Sequence, residues 1–168
     1  RPHQQPAAPA SRRAASTRPA LIFLQEVSLP WGRLVALAGR LGYQVALGTS
    51  PPEADRKLVT LYQTGLEVNA SDLEPGYVQL VRLGSYTFVH VHLASGGSNY
   101  RARAASVDTI IAPFLASERD LPFLVGDFNC VTSPIDAEVQ GQHKFCPRLN
   151  AMLAAFGYVD LYPSLHPL

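Results

Sequence analysis

The chain has little of what usually places a protein in a class at once. It has two cysteines, one tryptophan and one methionine. Cys130 and Cys146 stand in unrelated sequence contexts without metal-ligand spacing, and they read as two reduced thiols. No apolar run approaches the ~20 residues that a membrane-spanning helix needs, so no span is expected. The N-terminus holds arginines and prolines where a secretory leader would hold an apolar stretch, so an intracellular location is expected. Charge of one sign is also missing. Fourteen basic residues against 13 acidic ones leave a formal net charge of +1, which argues against strong, sequence-independent binding to duplex DNA. No internal repeat is visible.

What is present suits a single core. The chain is 168 residues long and 47% hydrophobic, ordinary for a globular domain. Residues 1–18 are mostly Ala, Pro, Arg, Ser and Gln, too poor in apolar groups to offset the entropy of ordering, and are expected to form a flexible tail. Arg12, Arg13 and Arg18 read there as solvated charges rather than as contacts to nucleic acid or to an acidic partner. Residues 19–168 form the expected domain. Trp31 to Leu41 carries Leu34, Leu37, Ala38 and Leu41 at helical spacing and stops at Gly42, a covering helix. Tyr43 to Leu47, Lys57 to Gln63, Tyr77 to Leu83 and Tyr86 to Leu93 read as strands separated by turns, with a short hairpin link at Gly84 and Ser85. Arg101 to Leu115 shows Val107, Ile110, Ile111, Phe114 and Leu115 on one face of a helix. A last helix runs from Arg148 to Phe156 and ends at Gly157. Strands in a layered core with helices outside make an α/β fold, a two-sheet α/β sandwich.

Chemistry concentrates at Gly126-Asp127-Phe128-Asn129, which ends the apolar run Leu121 to Val125. A buried strand that delivers an Asp and an Asn to its open end aims a carboxylate and an amide at one point. Such a pair suits phosphate chemistry: the carboxylate takes a proton from water or holds a metal, and the amide orients the water or donates to a phosphoryl oxygen. Gly126 is expected to leave room for a substrate backbone. Leu21 to Val27 repeats the design upstream, with Gln25 and Glu26 at a strand's end. Two strand-end carboxylates in one sheet can meet around a hard cation.

These two blocks, in this order, resemble the endonuclease/exonuclease/phosphatase superfamily, the DNase I-like fold of abasic-site endonucleases and type I deoxyribonucleases. Asp127 to Val131, then Pro134 to Asp136, then Phe156 to Leu161 and His166-Pro167, resemble the endonuclease domains of non-LTR (LINE-type) retrotransposons, which precede a reverse transcriptase. Val91 to Asn99 is similar to their strand-to-loop segment. The resemblance implies that Glu26 binds Mg²⁺, with Mn²⁺ as the substitute. It implies that Asp127 activates the attacking water and that Asn129 shares the phosphate site. His92 stands where the family has a phosphate-contacting Tyr, a position that can keep a hydrogen-bonding role. Ser95, Asn99 and Arg101 are the implied substrate contacts. DNA is the implied partner, and a nuclear location follows from it.

Departures from the pattern shape the expectation. The family's first strand, with its metal-binding Asn, is not recognisable before Leu21, and its closing Ser-Asp-His block is not reached by Leu168. The fold is therefore expected to be incomplete, weak or inactive as a nuclease, with a protein partner or self-association completing its sheet edges. Other residues read as structural. His90 and His92 share one strand face, and His90 reads as a satisfied interior histidine. Asp160 reads as pinning the loop after the last helix, and Asp136 as a turn residue or a substrate-loop contact. Arg101 and Arg103 either face a phosphate backbone or start a solvated helix. Three functions stand open: a metal-dependent DNA-nicking endonuclease of retroelement type, a non-catalytic binding or structural module of the same fold, and a phosphodiesterase acting on RNA or lipid phosphate.

Overall fold

The computed structural model describes residues 18–46, 58–131 and 145–161. Expectations placed on Arg12, Arg13, Pro134, Asp136, His166 and Pro167 lie outside the described residues. Among these residues seven strands form two sheets. The first has three strands in the order β1 (Leu21–Gln25), β3 (Leu58–Gln63), β2 (Tyr43–Ala46), all antiparallel. The second has four, in the order β4 (Val68–Glu74), β5 (Val78–Leu83), β6 (Tyr86–His92), β7 (Phe123–Asp127). β4, β5 and β6 run antiparallel in sequence, while β7 joins β6 in parallel. A parallel neighbour needs a crossover, and the helical segment between β6 and β7 supplies it.

The alternation of side chains along each strand builds four layers. Helix α1 (Trp31–Arg40) buries Leu34 and Ala38 against Tyr43, Val59 and Leu61 of the first sheet. Leu37 and Leu41, expected on that buried face, are exposed instead. On the far side, Val78, Leu80, Val89, Val91 and Leu93 of the second sheet pack under Val107, Ile111, Leu115, Leu149 and Met152 of the helices. Between the sheets lie Phe23, Phe88 and His90, with the Phe23 ring 5.4 Å from Phe88 and 5.0 Å from His90.

Several expectations change in detail. β4 falls in a stretch read as turn. Val68-Asn-Ala-Ser-Asp-Leu-Glu74 has too few apolar residues to signal a strand, and it is an edge whose ladder hydrogen bonds to β5, with a bulge between Asp72 and Glu74, hold it in place. The long helix is α2 (Tyr100–Ser106) continuing through a π-helical turn (Val107–Ile111) into α3 (Ala112–Ser117). Pro113 explains the wide turn, because it has no N–H for the Thr109 carbonyl and its ring crowds that carbonyl. The Gly84-Ser85 link closes Leu83 against Tyr86, as expected. Helix α4 (Pro147–Phe156) ends at Gly157, whose φ of 71° makes the left-handed cap. Arg18, assigned to the tail, is anchored: its Nη1 donates to the Leu41 carbonyl at 3.2 Å, and its own carbonyl accepts from Gln63 Nε2 at 2.9 Å.

Candidate active site

Three strands end at one place. In the parallel β6–β7 register His92 stands opposite Asp127, so an imidazole and a carboxylate leave adjacent strand ends side by side. β1 of the other sheet ends next to them, and His92 Nε2 lies 3.5 Å from Glu26 Oε1. The two partners differ sharply in environment. His92 is buried, while the Glu26 side chain is 71% exposed. Among the described residues neither ring nitrogen of His92 has a hydrogen-bond partner. Both ring nitrogens are buried, and Nε2 faces the open Glu26 carboxylate.

Backbone geometry at the two acidic strand ends is unusual for residues with side chains. Glu26 has φ 53° and Asn129 φ 50°, the left-handed region. At Asn129 the conformation is stabilised locally. Its backbone N–H donates to Asp127 Oδ1 at 2.7 Å, and its side-chain amide donates to the Leu93 carbonyl at 2.7 Å. The Leu93 N–H in turn donates to the Asp127 carbonyl at 2.9 Å, extending the β6–β7 ladder beyond the strands. Asn is among the residues that tolerate this φ best.

Gly126 requires a correction. Its φ is 125°, and a Cβ there would lie 2.1 Å from the Val91 carbonyl oxygen. The space that glycine leaves is filled by the backbone of β6, not by a substrate. The glycine is what allows β7 to lie close enough to align Asp127 with His92.

The Ala94–Asn99 loop borders the site. The Asn99 side chain turns inward on this loop and donates to the Ser95 carbonyl at 2.6 Å. Ser95 is exposed, and Arg101 is exposed in the first turn of α2. Arg103 is neither a phosphate contact nor a solvated helix residue. It is 1% exposed, and its Nη1 donates to the carbonyls of Ala94 at 2.8 Å and Gly96 at 2.7 Å, so it fixes the loop from beneath. Sequence reasoning missed this role; the signal was its place on the helix face that also carries Val107. Asp160 is exposed beyond α4.

His90 is the satisfied interior histidine that its alternation with valine suggested. It is fully buried, and its ring contacts Gln25 Nε2 at 2.7 Å and Thr60 Oγ1 at 3.1 Å. Burial, with a smaller contribution from His92, holds its pKa down at about 4. The two cysteines, unrelated in sequence, are neighbours in space, and the Cys130 thiol is pushed up to about 12, first by burial and then by Cys146. Both are free thiols.

Among the described residues no group of three or more His, Cys, Asp or Glu gathers as a cation cage. Glu26 alone with solvent access nevertheless fits Mg²⁺, which commonly takes one or two protein carboxylates and completes its shell with water and substrate phosphate.

No family model and no curated protein matches the sequence. Among solved structures, an AP endonuclease from Archaeoglobus fulgidus superposes with a TM-score of 0.68 at 16% identity, over 89% of this chain and 65% of that one. The catalytic domain of human Nocturnin, with a bound sulfate anion, gives a TM-score of 0.46 at 17% identity, over 68% of this chain and 53% of that one. The chain thus has the two-sheet α/β fold of the DNase I-like type, and it spans about two thirds of the AP endonuclease's length. No described helix is long and apolar enough to cross a membrane.

Proposed function

We propose that the chain is a divalent-metal-dependent phosphodiesterase of nuclease type, the DNA-nicking endonuclease domain of a LINE-type retroelement protein or a piece of one. The observation that carries this reading is the meeting of Glu26, His92, Asp127 and Asn129 at the ends of β1, β6 and β7. Fold likeness to an AP endonuclease supports the class, and the Asn129-Cys130-Val131 and Phe156-to-Pro167 segments support the retroelement branch. A DNA substrate would place the protein in the nucleus.

In this reading Glu26 would hold Mg²⁺ or Mn²⁺, which would supply charge neutralisation at the scissile phosphate. Asp127 takes the proton of the attacking water. Its Oδ1 is engaged by the Asn129 N–H, which leaves Oδ2 for that work. Asn129 ties the loop to β6 and so fixes the carboxylate's position. His92 Nε2, buried 3.5 Å from Glu26, would reach a phosphoryl oxygen or the departing oxygen only where the Glu26 side chain moves aside. Ser95 and Arg101 border the path of the phosphate backbone, while Asn99 braces their loop. The outer edge of β7, with Phe123 45% exposed, is where a protein partner would add strands.

A second reading, a non-catalytic module of the same fold, draws on the lack of any cluster of three or more cation ligands among the described residues. The deciding experiment is nicking of supercoiled plasmid in Mg²⁺ by the chain, by Glu26→Gln and by Asp127→Asn, with RNA and phosphoinositide substrates run in parallel. Nicking reduced by about 10²–10³ in each variant is expected, the usual cost of losing one such group. A folded chain without cleavage of any substrate would favour the non-catalytic module, and cleavage of RNA or lipid alone would transfer the reading to that substrate.

A further inference from the structure

The layer between the two sheets is the part of a sandwich where apolar side chains are expected, yet here it contains a polar chain of four residues. Thr60 Oγ1 donates to Gln79 Oε1 at 2.8 Å. Thr60 Oγ1 also lies 3.1 Å from His90 Nδ1, and His90 Nε2 lies 2.7 Å from Gln25 Nε2. Thr60, Gln79 and His90 are between 0% and 2% exposed. Gln25 and Thr60 belong to the first sheet, and Gln79 and His90 to the second, where they pair across β5 and β6.

With the Gln25 and Gln79 amides turned as they stand, donor count sets the direction of each bond in this chain. The amide nitrogen of Gln25 only donates, so His90 Nε2 accepts and carries no proton. The single hydroxyl proton of Thr60 goes to Gln79, so Thr60 Oγ1 accepts from His90 Nδ1–H. Both ends of the ring demand the same form, the neutral Nδ1–H tautomer. A protonated ring would put an N–H against the Gln25 amide. Its low pKa of about 4, set by burial and then by His92, agrees with a ring held neutral.

We propose that His90 is a positioning residue of the candidate site: as the Nδ1–H tautomer it links Thr60 to the Gln25 amide and so fixes the end of β1 that carries Glu26. This rests on the nuclease reading only in the role given to Glu26. Among the described residues β1 is an edge strand, paired with β3 alone. Glu26 leaves it at φ 53°, a conformation that an L residue adopts only when its surroundings hold it. The Gln25 side chain is the anchor immediately before that turn, and it is tied through His90 to the strand that also carries His92. One strand, β6, therefore supplies the imidazole beside Glu26 and the imidazole that holds the preceding residue.

The test uses the full chain in two ways. Nitrogen-15 imidazole spectra of the unaltered chain at neutral pH should show His90 protonated at Nδ1 and bare at Nε2; the opposite tautomer would overturn the relay outright. Gln25→Leu then removes the anchor without adding a polar group. In this variant the backbone order parameters of Glu26 and Val27 should fall from the rigid range of about 0.85 towards about 0.6, with those of β5 and β7 unchanged. Mn²⁺ binding, read by water-proton relaxation, should weaken about tenfold, and nicking should lose turnover more than substrate affinity. Unchanged order parameters at Glu26 would overturn the positioning role even if the tautomer is correct. A chain with the expected tautomer and mobility change but no Mn²⁺ binding would overturn the nuclease reading and leave the relay standing. Should Gln25→Leu fail to fold, Gln25→Glu tests the same link: an acceptor in place of the amide nitrogen should draw a proton onto Nε2, and a bare Nε2 in Gln25→Glu would overturn the relay.

Discussion

The Asn129 side-chain amide donates to the Leu93 carbonyl oxygen at 2.7 Å, tying the turn after β7 to the end of β6. With the Asn129 N–H on Asp127 Oδ1, this bond sets where the Asp127 carboxylate stands. Asn129→Ala loses the amide bond and places a residue with little tolerance for it at φ 50°. The expected destabilisation is about 2–3 kcal/mol, a lost hydrogen bond of ~1 and a left-handed cost of ~1–2. Asn129→Gly restores the backbone freedom and should recover about half. Urea denaturation of the two variants measures the difference, and equal losses would mean that φ contributes nothing.

Gly126→Ala should be among the most damaging single changes in the chain. The new Cβ would meet the Val91 carbonyl at 2.1 Å, backbone against backbone, where no rotamer relieves it. A loss above ~4 kcal/mol is expected, enough to remove cooperative melting from a domain of ordinary stability. Thermal circular dichroism reads it. A midpoint within a few degrees of the unaltered chain would show that β7 can shift away from β6.

Stability should depend on pH through His90. Its pKa is lowered from 6.5 to about 4, chiefly by burial. Between those values the unfolded chain binds a proton that the folded chain refuses. The contribution is therefore fully present above pH ~6.5 and is lost as pH falls through about 4, with a total of roughly 3 kcal/mol. Carboxylates also titrate in this window, so the quantity to measure is the difference between the chain and His90→Gln in urea melts from pH 7 to pH 4. A difference that does not change with pH would contradict the low value.

Cys130 should resist alkylation in the folded state. With its pKa pushed up to about 12 by burial and by Cys146, its thiolate population near pH 8 is roughly a thousandfold below that of a free thiol. Iodoacetamide labelling followed by mass spectrometry should find Cys130 modified quickly in urea and slowly without it. Equal rates would show that the segment around Cys130 opens readily.

The amino-acid order alone determined the strand and helix types wherever apolar periodicity was strong. α1, β5, β6 and α4 carry it, and so does the β7 run that ends in Gly126 to Asn129. Those signals are local, because a buried face imposes its period on the residues that make it. β4 was illegible for the same reason: it is an edge held by β5, with little apolar content of its own. The π turn in the long helix left only Pro113 as its mark. What tertiary structure decided was proximity. The parallel register that sets His92 opposite Asp127, the 3.5 Å approach of Glu26 from the other sheet and the meeting of Cys130 with Cys146 all depend on how distant strands and helices pack. Gly126 shows the division most clearly. Its freedom was legible as a need for close approach, but only the packed sheet reveals that the backbone approaching it is Val91.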